Sequence, residues 1–73
     1  MQKYMNVGGD SGVEEYEIGL DNIVVKFKKT VRTYTYSYDS AGKDAVEHMK
    51  GLAERGEGLN EYINKHVKDK YVR

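Results

Sequence analysis

The sequence predicts an α+β fold, a three-stranded antiparallel β-meander followed by two short helices packed on one face, in the order β-β-β-α-α. Three observations carry that reading. Tyr34, Tyr36 and Tyr38 alternate with Thr35 and Ser37, and aromatic residues at period two divided by hydroxyl residues mark a strand. Residues 13–20 and 23–27 alternate in the same way. Beyond Tyr38 the apolar period changes to that of a helix.

The chain opens with Met1, Tyr4, Met5 and Val7, which the run Gly8-Gly9-Asp10-Ser11-Gly12 separates from the rest. Residues 1–12 are therefore expected as a flexible tail, contributing at most an edge strand, with the single domain over 13–73. In the first strand Tyr16, Ile18 and Leu20 share the apolar face, with Glu15 and Glu17 opposite. Asp21-Asn22 tolerates positive φ and suits a two-residue hairpin loop. That loop sets Leu20 across from Ile23, Ile18 from Val25 and Tyr16 from Phe27. It also sets Glu17 across from Lys26, Glu15 from Lys28 and Glu14 from Lys29. The acidic block (Asp10, Glu14, Glu15, Glu17, Asp21) and the basic block (Lys26, Lys28, Lys29, Arg32) are thereby explained as cross-strand pairs, each contributing about 0.2 to 1 kcal/mol.

A turn near Lys29-Thr30 returns the third strand, residues 31–38. An even loop sets Tyr34 across from Val25, Tyr36 from Ile23 and Arg32 from Phe27, so Tyr34 and Tyr36 fall on the face the helices cover. Asp44 with Glu47 reads as a capping box for the first helix, whose core stripe is Ala45, Val46, Met49, Leu52 and Ala53. Gly56 stands at its left-handed C-terminal position. Gly58 marks a short connection, and the second helix starts near Leu59. Its stripe is Leu59, Tyr62, Ile63, His66 and Val67, with Glu57, Glu61, Lys65 and Lys68 towards solvent.

The 73 residues include 12 basic and 12 acidic side chains and no cysteine, so neither a strong net field nor a disulfide framework organises the domain. No apolar run is long enough to span a bilayer, and the N-terminus lacks the pattern of a signal peptide, so a cytoplasmic protein without membrane contact is expected. His48 and His66, on separate helices, do not make a metal set without cysteine. No spacing of Ser37 or Ser40 with a base suggests nucleophilic catalysis. The expectation is a non-enzymatic protein without metal or cofactor.

Tyr34-Thr35-Tyr36, the amphipathic helix after it and the run Gly56-Glu57-Gly58-Leu59-Asn60-Glu61-Tyr62-Ile63 together resemble the KTSC domain. That family is named for the C-terminus of some lysyl-tRNA synthetases and also occurs as a free-standing small bacterial or phage protein. The match spans roughly residues 16–71, and its motif positions here are Tyr34, Tyr36, Gly58, Leu59, Asn60, Tyr62 and Ile63. The family has no established activity, but its synthetase context suggests RNA binding, and the resemblance implies that role here.

Residue types point the same way, because aromatic rings on a sheet stack unpaired bases while basic groups hold phosphates. Arg32, Tyr36, Tyr38, Lys65, Lys68, Lys70 and Arg73 are the candidate RNA-binding residues, with Tyr34 and Lys26 of suitable type beside them. Free amides at the Gly56-x-Gly58 turn offer a second place for an anion. The alternative is a protein-interaction or self-associating, homodimeric module with no nucleic-acid role, since an open sheet has edges that accept another strand.

Overall fold

A computed structural model describes residues 1–7, 9 and 12–72. Gly8, Asp10 and Ser11 of the expected tether, and Arg73 of the candidate RNA site, lie outside these described residues. The architecture is α+β with one antiparallel sheet of four strands, one more than expected: β1 (Gln2–Lys3), β2 (Val13–Ile18), β3 (Asn22–Phe27) and β4 (Thr33–Ser37), in spatial order β1-β2-β3-β4. The helices follow: α1 (Tyr38–Ala41), α2 (Lys43–Arg55) and α3 (Leu59–Tyr62), which runs on into a π-helical turn, Ile63–Val67.

The extra strand comes from the segment expected as a tail. Gln2 pairs with Tyr16 and Lys3 with Glu15, and the next residue, Tyr4, is 2 % exposed. Tyr4 meets Tyr16 edge to face at 6.5 Å, and its hydroxyl accepts from the Leu59 amide. That amide heads α3, so the donor proposed for an anion at the Gly56-x-Gly58 turn is already used inside the protein.

β3 and β4 pair as the alternation predicts, Val25 with Tyr34 and Ile23 with Tyr36. The strand begins two residues later than expected, at Thr33, so Arg32 has no ladder partner in Phe27 and stands in the preceding loop. It also ends at Ser37. There Ser37 and Ser40 cap each other reciprocally, which turns the chain into α1 with Tyr38 as its first helical residue. Asp44, expected to cap the longer helix, instead lies inside the first turn of α2, whose preceding residue is Gly42 at φ +97°.

The β2–β3 pairing departs from expectation by two residues. Ile18 faces Ile23 and Tyr16 faces Val25, because the hairpin turn spans Gly19 to Asn22 and not Asp21-Asn22 alone. The Gly19 amide donates to the Asn22 carbonyl, and a Cβ at Gly19 would come within 2.7 Å of Asn22 Oδ1. The wide turn is anchored from outside: the Tyr38 amide donates to Asp21 O and Lys50 Nζ donates to Leu20 O. Leu20, expected in the core, is 95 % exposed at its tip.

A shift of two preserves which face each residue occupies, but it changes the partners. Glu17 faces Val24 and Glu15 faces Lys26, so the expected ion pairs Glu17–Lys26, Glu15–Lys28 and Glu14–Lys29 are replaced by one between Glu14 and Lys26. A bulge between Val13 and Glu15 returns Val13 to the buried face and leaves Glu14 reaching Lys26. Lys26 holds the Glu14 carboxyl below its ordinary pKa, with smaller contributions from Lys28 and Lys3. The group is ionised more readily when folded, so its stabilisation is present above the ordinary value of 4.5 and is lost as pH falls through the lowered folded value. A double-mutant cycle on Glu14 and Lys26 should therefore show favourable coupling at pH 7 that fades with acid and with salt. The same cycle on Glu17 and Lys26 should show none.

The core lies between the sheet and the helices. Val13, Tyr16, Ile23, Val25 and Tyr36 from the strands meet Val46, Met49, Leu52 and Ala53 of α2 and Leu59, Ile63 and Val67 beyond it. His66, expected on that last stripe, is exposed and stacks on Tyr62 at 4.6 Å. The π-helical turn keeps Ile63 and Val67 buried. No helix among the described residues is long and apolar enough to cross a membrane.

Candidate nucleic-acid interface

A cleft of about 420 Å³ opens where the end of the sheet meets the C-terminal helix. One wall is aromatic. Phe27 at the end of β3 and Tyr34 in β4 meet edge to face at 5.7 Å, and Tyr71 meets Tyr34 at 4.9 Å and Tyr36 at 6.3 Å. The other wall is polar, with Asn60, Asn64, Lys68 and the acidic Asp69 contributed by α3 and the turns after it.

Arg32 completes the arrangement. Its guanidinium stands 5.2 Å from the Tyr34 ring centre and 5.9 Å from that of Tyr71, within cation–π range. The loop fixes where it starts: the Arg32 amide donates to Thr30 Oγ1, and the Thr30 amide donates to Phe27 O. Tyr71 is held from the other side, since the following residue, Val72, donates its amide to Thr35 O at 2.6 Å. Thr35 belongs to the outer edge of β4, so the C-terminal residues lie along the sheet and carry Tyr71 to its place.

The expected RNA-binding residues divide. Lys68 lines this cleft, and Arg32 stands over two of its rings, Tyr34 and Tyr71. Tyr36 belongs to the core at 1 % exposure, its hydroxyl pushed up to about 12 mainly by burial, and a ring so enclosed does not stack a base. Tyr38 lies elsewhere, donating its hydroxyl to Glu47 Oε2 at 2.6 Å. That bond raises the Tyr38 pKa, while Lys50 and then Tyr38 lower that of Glu47. Lys65 is exposed and reaches Glu61 at 3.9 Å, and Lys70 lines a different hollow with Asp39 and Ser40.

Phe27, Thr30, Asn64, Asp69 and Tyr71 are the cleft residues that sequence reasoning did not select. Tyr71 left one signal, a lone aromatic in the basic run from Lys65 to Arg73, but no periodicity placed it against Tyr34. Of the family-motif positions, Tyr34, Tyr36, Asn60 and Ile63 line the cleft, Tyr36 from the core side. Tyr62 instead sits between His48 and His66, with ring centres at 4.7 and 4.6 Å. No group of three metal-ligating side chains occurs among the described residues.

The arrangement can do three things chemically. Aromatic and guanidinium planes can stack a flat ring, two carboxamides can donate and accept in-plane hydrogen bonds, and Lys68 can meet an anion. No protein-family model, curated protein or solved structure matches the chain.

Proposed function

We propose that the protein is a small non-enzymatic binding module of the KTSC type that takes single-stranded RNA in the Arg32–Tyr71 cleft. The observation that carries this reading is the Arg32 guanidinium stacked over Tyr34 and Tyr71 at the mouth of a cleft with Asn60, Asn64 and Lys68 opposite. An unpaired base lies against one of these ring faces or the guanidinium plane, its edge meets the amides, and its phosphate meets Lys68. The chain's zero formal net charge supplies no global field, so attraction for a phosphate rests on Arg32 over the cleft rings and Lys68 on its wall, set against Asp69 beside it.

Stacking on an aromatic side chain is worth about 1 to 3 kcal/mol per base. Tyr71→Ala should therefore weaken binding of a short oligouridylate by about five-fold or more, measured by fluorescence anisotropy, and Arg32→Ala should do the same. Equal affinities for wild type and both variants would remove the cleft from the account.

The β4 edge supports a second reading, in which the module pairs with another protein strand. The Thr35 carbonyl already accepts from Val72 in the manner of an added strand. A dimer in solution that persists when Tyr71 is replaced would favour this reading over the first.

A further inference from the structure

A second cleft, of about 470 Å³, opens at the same end of the sheet as the first, where β1 leaves β2. The turn after β3 stands between the two. Phe27 lines the first cleft and its ladder partner Val13 lines the second, while the Lys28 amide donates to Gly12 O across the same turn. The second cleft carries Lys3, Asn6, Glu14 and Lys28 along its walls.

Its charge is not balanced. Lys3 and Lys28 are both exposed, and among the described residues no carboxylate lies within ion-pair distance of either. Glu14, the acid that lines the cleft, is engaged by Lys26. Glu15 faces Lys3 on one side of the ladder and Lys26 on the other, and among the described residues the patch still keeps a positive excess, to which Lys29 in the adjoining turn adds. Two exposed lysines lining one open hollow beside a carboxylate already paired with Lys26 suit a hydrated anion that stays partly in solvent.

We propose that the Lys3–Lys28 cleft is a phosphate subsite, holding a backbone phosphodiester of the same RNA strand whose base occupies the Arg32–Tyr71 cleft. This rests on the RNA reading above and extends it from a single base to a strand that crosses the turn after β3. The stacking cleft alone makes one phosphate contact, through Lys68; adding the subsite makes binding more electrolyte-sensitive, because each phosphate neutralised on a single strand adds about 0.7 to the slope of log K against log salt.

The test is anisotropy of fluorescein-labelled hexauridylate with the full chain over a series of salt concentrations. The double variant Lys3→Gln/Lys28→Gln should lower the slope by about 0.7 and weaken binding about five-fold at about 0.1 M salt. Both side chains are exposed, so its melting temperature should match wild type. Glu14→Gln should act oppositely and tighten binding, an outcome that a purely structural role for these residues would not produce. Wild-type binding with an unchanged slope in the lysine variant would overturn the subsite alone. No binding of hexauridylate by wild type at the lowest salt would overturn both the subsite and the RNA reading.

Discussion

Gly56→Ala should destabilise the domain by about 3 kcal/mol, a fall in melting temperature of about 15 °C for a chain of this length. Two effects add at this position. Gly56 ends α2 at φ +77°, where its amide donates to the Leu52 and Ala53 carbonyls, and a side chain is strained there whatever the space. The space is also absent: a Cβ would lie 2.6 Å from Met5 Cβ, close to backbone that cannot rotate away. Relief requires the N-terminal segment to move. That movement would break the Val7 amide to Gly56 carbonyl bond of 2.7 Å and loosen Tyr4 from the core. Gly58→Ala is the control. Its φ is +84°, but its nearest neighbour would be Leu52 Cδ2 at 3.5 Å, an ordinary contact, so only the backbone strain of about 1 kcal/mol applies. Thermal or urea unfolding of the two variants side by side separates the terms. Equal losses would mean that the N-terminal segment does not pack on Gly56.

Tyr36→Ala should cost about 4 kcal/mol, the range for removing a large aromatic from a core. In a domain of this size that is most of the stability, so much of the variant should be unfolded at 25 °C. Tyr36 is 1 % exposed, lies across the ladder from Ile23 and stacks edge to face on Tyr71. Tyr36→Phe should keep most of the stability and change its pH dependence. The hydroxyl titrates near 10 when unfolded and near 12 when folded, so its contribution is complete below pH 10 and is lost as pH rises towards 12. The Phe variant should lack that alkaline decline. Full stability of Tyr36→Ala together with lost ligand binding would place the ring on the surface and overturn the β3–β4 register.

These positions also show how far the sequence could be read. The faces were legible because alternation decides them: Ile23, Val25, Tyr34 and Tyr36 point to one side in any register shifted by an even number. The register of β2 was not, because a turn with Asp21-Asn22 at its centre explains the alternation as well as the wider turn from Gly19 does. Only the three-dimensional contacts of Tyr38 and Lys50 with the turn carbonyls select the latter, leaving Leu20 exposed against its hydropathy. The N-terminal strand was illegible for a different reason. Two paired residues carry no periodicity, and Tyr4 enters the core through tertiary contact with Tyr16 and Leu59. The capping of α1 by Ser37 and Ser40 obeys the same rule of reciprocal caps that was applied to Asp44 and Glu47, one helix too late.

The candidate site was legible in part. Arg32 and Lys68 were chosen for charge and both border the cleft, but Tyr71, the ring beside Arg32, is brought in by a C-terminal segment whose course depends on the Val72–Thr35 bond. Tyr36 and Tyr38 shared a strand pattern with Tyr34, yet one is core and the other turns into α1. Alternation on a strand does not distinguish a buried ring from one at the margin of the sheet, where the helical cover stops.

The most direct test of the account is a backbone and side-chain NMR titration of the intact chain with short single-stranded RNA at low and near-physiological salt. The account predicts shifts gathered on Arg32, Tyr34, Asn60, Asn64, Lys68 and Tyr71 that weaken as salt rises, with Tyr38 and Lys65 little affected. An unchanged spectrum at low salt, or shifts gathered away from both the Arg32–Tyr71 and the Lys3–Lys28 clefts, would contradict it.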